Sequence, residues 1–111
     1  MPTIFQPKDL PVTEKNGVNI ATLANRAMLG SNALQVERIR LETSVKSSMF
    51  KAADAERFVY VIRGNGRAYV SEQAFQLDAE SMLWLEKDDT CYLEANTGGL
   101  EVLLCHAPGN E

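Results

Sequence analysis

Short apolar runs alternate with turn residues along the whole chain. Residues 18–23, 34–42, 58–63, 66–70, 82–86, 91–95 and 100–106 are each rich in Val, Leu, Ile or Tyr and lie between clusters of Gly, Asn and Ser. Runs of this length and composition predict strands. Asn16-Gly17, Gly30-Ser31-Asn32, Gly64-Asn65-Gly66 and Asn96-Thr97-Gly98-Gly99 supply the residues that reverse a chain at low cost. Pro7 and Pro11 bracket an irregular N-terminal arm, and the helix-like composition of 21–29 is short, uncapped and stopped by Gly30. Many short strands with turns between them predict an all-β sandwich or barrel with little helix.

The run from 56 to 63 has a second property. Arg57, Val59, Val61 and Arg63 alternate with Glu56, Phe58, Tyr60 and Ile62, so a strand here is apolar at the centre of both faces. A strand covered on both sides needs an interior on one and a second layer or subunit on the other. The expectation is a homodimer through the Phe58, Tyr60, Ile62 face or the arm. Gly64-Asn65-Gly66 is then expected to turn the chain back as a tight hairpin. Phe58, Tyr60, Trp84 and Tyr92 are expected to pack the core.

At 111 residues, with 45% hydrophobic and 23% charged side chains, the chain matches one ordinary soluble domain, 1–111, able to hold a core without metal or disulfide support. No run of 18 apolar residues occurs and the first residues lack a basic segment followed by an apolar one, which predicts a cytoplasmic protein with no membrane partner. The net charge of −4 argues against nucleic acid. Seven of the eleven basic residues fall between 38 and 67, while 72–111 holds nine acids and only Lys87. If these halves interleave as neighbouring strands, their charges largely cancel.

The order Glu-Arg-Phe-Val-Tyr-Val-Ile-Arg-Gly-Asn-Gly-Arg-Ala over 56–68, then Phe-Gln-Leu-Asp-Ala-Glu-Ser-Met-Leu-Trp-Leu-Glu over 75–86 and Asn-Thr-Gly over 96–98, resembles the two motifs of the single-domain cupins, across 33–107. The resemblance implies a small jelly-roll β-barrel, commonly dimeric, with a pocket in its mouth where most members hold a divalent metal. The ligands that such a metal uses are missing. Counting back from Gly64, Arg57 stands at the family's metal-binding glutamate, and Lys51 and Ala53 stand at its two histidines; Cys91 falls at the third. A slip of one residue substitutes Phe50, Ala52 and Glu56 and restores no imidazole. Two cations beside one soft donor make a poor divalent site, so neither metal nor other cofactor is expected.

Lys51, Arg57 and Cys91 are the lumenal candidates on this reading. They suggest a small, anionic ligand gripped by the positive charge that a metal supplies in relatives, unless Asp54, Glu56 or Glu94 pairs with the two cations. A second reading is a cupin-type enzyme, such as a dioxygenase, isomerase or sugar-modifying protein, with Glu56, Glu94 or Cys91 as its base. A third is a structural or regulatory dimer module. His106, the one histidine, lies outside both motifs beside Ala107-Pro108 and reads as a surface or satisfied side chain. Cys91 and Cys105 are expected to stay unbridged in a reducing cytoplasm, and the Glu86-Lys87-Asp88-Asp89 run reads as a solvated acidic loop.

Overall fold

Asn16 and Gly17 take positive φ of 53° and 82°, the pair of left-handed residues that a two-residue hairpin matching the twist of its strands requires. They join strand β1 (Val12–Lys15) to β2 (Val18–Ala24), and the chain continues through β3 (Gln35–Leu41), β4 (Phe50–Lys51), β5 (Glu56–Val70), β6 (Gln73–Leu77), β7 (Met82–Leu85) and β8 (Thr90–Ala107). This computed structural model describes residues 12–24, 35–47, 50–51, 56–86 and 89–107. The turn expected at Gly30-Ser31-Asn32 lies outside them, and of the 21–29 segment the part described, up to Ala24, is strand. Among the described residues there is no helix long and apolar enough to cross a membrane.

The eight strands form one antiparallel sheet in the order β1-β2-β3-β8-β5-β6, with β7 on β5 and β4 on β8. The sheet folds over on itself because β5 and β8 bend together. The first half of β5 pairs with the end of β8, Arg57 opposite His106 and Val61 opposite Val102. The second half pairs with the beginning of β8, Ala68 opposite Leu93 and Val70 opposite Cys91. One layer is therefore β1-β2-β3-β8-β5-β7 and the other β4-β8-β5-β6, with the same two strands crossing between them.

Gly64-Asn65-Gly66 is thus not the hairpin that its composition predicts. It lies inside β5, at the bend, where the register with β8 slips on either side of Gly64. A Cβ on Gly64, whose φ is +86°, would collide with the carbonyl oxygen of Gly99, and one on Gly66 with that of Glu94. The glycines permit two backbones to approach each other rather than one backbone to reverse. Correspondingly, 91–95 and 100–106 are one strand, and Asn96-Thr97-Gly98-Gly99 is its corner.

Between the layers lies one apolar core. Ile39, Leu41, Val59, Val61, Leu85, Leu100, Val102 and Leu104 come from the first layer, and Ala68, Leu77, Cys91, Leu93 and Ala95 from the second. The inward face of β5 is the Val59, Val61 face, both residues being fully buried. Its other face looks outward, where Phe58 stacks on Trp84 with ring centroids 6.0 Å apart. Trp84 is 54% exposed and so is no part of the core. Tyr92 stacks on Tyr69 at 4.7 Å, both half-buried. Alternation had separated the two faces of β5, but side-chain size alone does not say which face is the interior.

The hairpin between β5 and β6 turns on Ser71 and Glu72, both with positive φ and neither a glycine or asparagine. Glu72→Gly is expected to stabilise the fold by about 0.5–1 kcal/mol by relieving that conformation. Gly64→Ala, which forces a side chain into the Gly99 carbonyl, is expected to destabilise it by about 3 kcal/mol. Urea titrations of the two variants check both signs, and a neutral Gly64→Ala would contradict the close approach.

Candidate functional site

Three adjacent strands bring ionisable groups together at one end of the interior. On β5, Arg57 precedes Val59 and Val61 on the inward face; on β8, directly opposite Arg57, stands His106, which is 3% exposed. On β3, Gln35 opposes His106, and Glu37 follows it on the face that carries Ile39 and Leu41. Leu85 of β7, fully buried, backs Arg57 from the other side. Alternation alone produces this placement, since each residue is the terminal polar member of an inward-facing apolar series.

Burial controls the electrostatics of the group. It pushes the Glu37 carboxyl up, against the pull of the Arg57 guanidinium. It pushes Arg57 down, against Glu37. It pushes His106 below its ordinary 6.5, and the neighbouring Arg57 cation pushes the same way, so the imidazole is neutral near pH 7. Its Nδ1 is buried and has no hydrogen-bond partner among the described residues. A buried imidazole nitrogen left this way costs free energy, and such atoms mark places where a ligand or water is expected.

The residues singled out in the sequence have different fates. Arg57 is in the interior. Cys91 is fully buried too, but on the half of β8 that pairs with the other end of β5 and with Phe50 of β4. Its thiol is pushed up to about 12 by burial, with the Asp89 carboxylate adding to the effect, so it stays protonated near neutral pH and packs as a small apolar side chain. Lys51 lies in β4 opposite Thr90; its side chain, like that of Glu56, is outside the described residues, as is Asp54. Glu94 is half-buried, accepting a hydrogen bond from Tyr69 Oη at 2.9 Å and pairing with Lys46 Nζ at 4.0 Å. The acid beside Arg57 is Glu37, which no motif in the sequence singles out. His106 is neither on the surface nor satisfied at both nitrogens.

No protein-family model matches the chain, and no curated protein matches it by sequence. Solved structures do. KdgF from Halomonas sp. superposes with a TM-score of 0.84 at 10% identity, over 100% of this chain and 97% of that one. An RmlC-like cupin from Shewanella frigidimarina gives 0.82 at 12%, over 100% and 95%. Pac13, a nucleoside dehydratase from Streptomyces, gives 0.80 at 15%, over 100% and 86%. The chain has the cupin fold.

The resemblance that carried this fold also implies a divalent metal in the cupin lumen. Among the described residues no three His, Cys, Asp or Glu side chains converge as ligands. At the Arg57 end the available donors are Glu37 and His106, with the guanidinium beside both. A divalent cation would face that fixed charge with half the donors a stable site uses. The described lumenal residues do not fit the metal.

Charge is better satisfied outside the cupin barrel. Glu101, 6% exposed, accepts hydrogen bonds from Arg40 Nε at 2.8 Å and from Arg63 Nε and Nη2 at 2.9 and 2.6 Å, and Arg38 Nε stands 3.6 Å away. Burial pushes the Glu101 carboxyl up, but the hydrogen bonds and charges of Arg40 and Arg63 outweigh it and hold it below the usual range. Here the basic middle of the sequence meets the acidic C-terminal part, the arrangement under which their charges largely cancel. An open depression of about 840 Å³ beside the cluster is lined by Arg40, Arg63 and Glu101 and also by Glu14 and Glu42, whose carboxylates balance the arginines. Neither this depression nor a smaller one of about 360 Å³ near Lys15 and Lys46 is lined by the Glu37, Arg57, His106 group.

Two outcomes follow from the buried titratable groups. Cys91 is expected to resist iodoacetamide at pH 8 in the folded protein and to react once unfolded; rapid native modification would refute its burial. Because the folded state refuses a proton that unfolded His106 accepts, stability is expected to fall as pH drops below 6.5, with a slope of at most about 1.4 kcal/mol per pH unit. His106→Asn should flatten that part of the pH–stability curve, as measured by urea titration.

Proposed function

We infer that the barrel binds a small anionic ligand in its lumen, with Arg57 as the principal contact and without a metal. The observation that carries this reading is the placement of a half-buried guanidinium among apolar walls, next to a buried imidazole nitrogen that lacks a partner among the described residues. Arginine presents a planar fork that matches carboxylate, sulfate or phosphate oxygens, and its hydrogen bonds to an anion strengthen away from bulk water. Cys91 is retained as a wall of the lumen. Solved structures that share the fold include small-molecule enzymes by name, the dehydratase Pac13 and an ectoine synthase, in keeping with a lumen that accepts small polar molecules.

A second reading, acid–base catalysis on such a ligand, is favoured by one specific pair. Glu37, whose carboxyl burial pushes up, and neutral His106 approach the same guanidinium from the β3–β8 side. They are two titratable groups close to a charge that would orient a substrate. Of the bases open in the sequence, Cys91 is too weakly acidic to serve, and Glu94 is engaged with Tyr69 and Lys46.

Isothermal titration with sulfate and with malonate tests the binding reading. Arg57→Ala is expected to weaken whichever anion binds by about tenfold or more, the value of a lost charge-assisted contact. Unchanged affinity in the variant would sink it.

A further inference from the structure

The charges at the Arg57 end of the lumen do not leave room for an anion as they stand. Arg57 contributes one positive charge and Glu37 one negative charge, and the two act on each other. His106 is uncharged. Among the described residues no other ionisable group faces this point: β3 offers Gln35 and Glu37, β5 offers Arg57, β7 offers Leu85, and on β8 itself the inward neighbour is Leu104. An anion added to a neutral, walled site leaves an unbalanced buried charge, which is expensive. One proton restores the balance.

We propose that His106 is the second contact of the lumenal anion site, and that the site takes up one proton at the imidazole for each anion it binds. This rests on the anion-binding reading above and specifies its charge balance. The atoms are accounted for simply. The imidazole already holds one proton, the second comes from solvent onto its free nitrogen, and no other bond forms or breaks. In either starting tautomer the imidazolium then carries an N–H at Nδ1, and that buried nitrogen, without a partner among the described residues, becomes a donor to the anion that Arg57 holds. The ligand class is accordingly an oxyanion with at least two oxygens, a carboxylate, sulfate or phosphate group able to bridge Arg57 and His106. His106 suits the proton better than Glu37 does. An anion on Arg57 screens the cation that opposes imidazole protonation, whereas a proton on Glu37 removes the charge that Arg57 itself pairs with.

The sign of the pH dependence follows. Binding raises the proton affinity of His106, so binding is coupled to proton uptake, and affinity rises as pH falls through the interval between the imidazole's bound and free titration midpoints. Outside that interval affinity is flat.

Sulfate is the appropriate probe because it does not itself titrate in this range. Titration calorimetry of the full chain at pH 8 and pH 6, in buffers of different ionisation enthalpy, counts the protons taken up. Proton NMR follows the ring of His106, unambiguous because the chain has one histidine. Wild type is expected to bind sulfate about tenfold more tightly at pH 6 than at pH 8, up to the one-proton limit, with the His106 midpoint shifted upward by sulfate. His106→Asn is expected to keep Arg57-dependent binding at pH 8 and lose the pH dependence. Glu37→Gln, which leaves the site with a net positive charge, should bind sulfate more tightly at pH 8 with less proton uptake. Arg57-dependent binding with no proton uptake overturns this proposal and leaves the binding reading intact. Proton uptake that survives in His106→Asn and vanishes in Glu37→Gln also overturns it, placing the proton on the carboxylate. Absence of any Arg57-dependent sulfate binding overturns both.

Discussion

Everything in this barrel depends on β5 and β8 remaining paired while both turn a corner. A ladder that bends must bring backbone against backbone at the inside of the bend, where a Cβ has no room. Gly64 against the Gly99 carbonyl and Gly66 against the Glu94 carbonyl are those contacts. Given them, two strands run through both layers, the sheet closes over its own apolar face, and Val59, Val61, Leu93 and Val102 are fully buried. The same pairing sets Arg57 opposite His106 and thereby fixes the lumenal group before any ligand is considered.

The molecule treats buried charge in two contrasting ways. On the outer face, Glu101 is surrounded by three arginines and its oxygens are hydrogen-bonded. Both oxygens of the Glu101 carboxylate are satisfied, and the cluster holds β3, β8 and β5 together at one level of the sheet. Inside, Glu37, Arg57 and His106 are fewer, drier and incompletely matched. Proteins seldom leave a buried imidazole nitrogen without a partner unless something else completes it. The contrast, rather than any one residue, separates the structural cluster from the candidate site.

Much of the fold was legible in the residues. Asn16-Gly17 announced its hairpin, and the alternation from 56 to 63 separated the two faces of β5. Gly64-Asn65-Gly66 was misleading for a physical reason. A glycine-rich triplet permits a reversal and a close approach equally, and the choice is made by Gly99 and Glu94, which are distant in the chain. Strand β6 was hidden because Gln73–Leu77 is short and exposed at every residue but Leu77 and its turn, Ser71-Glu72, uses positive φ without a glycine. At the site, Arg57 was legible through its place in a motif. Glu37 was masked by flanking arginines that suggest solvent, and only the register of β3 against β8 shows which charges point inward. His106 lay outside both motifs, and its role depends on a pairing with a residue near the opposite end of the barrel segment.

The pairing of β5 with β8 also has a direction in time. Val70 and Cys91 are separated by little more than the β6–β7 segment, whereas Arg57 and His106 are about fifty residues apart in the chain. Closing the shorter loop loses less entropy, so the ladder is best started at its Val70 end and zipped through the glycine corner toward Glu56. The polar group at the far end of the lumen is then assembled last, after the apolar core is already in place to surround it.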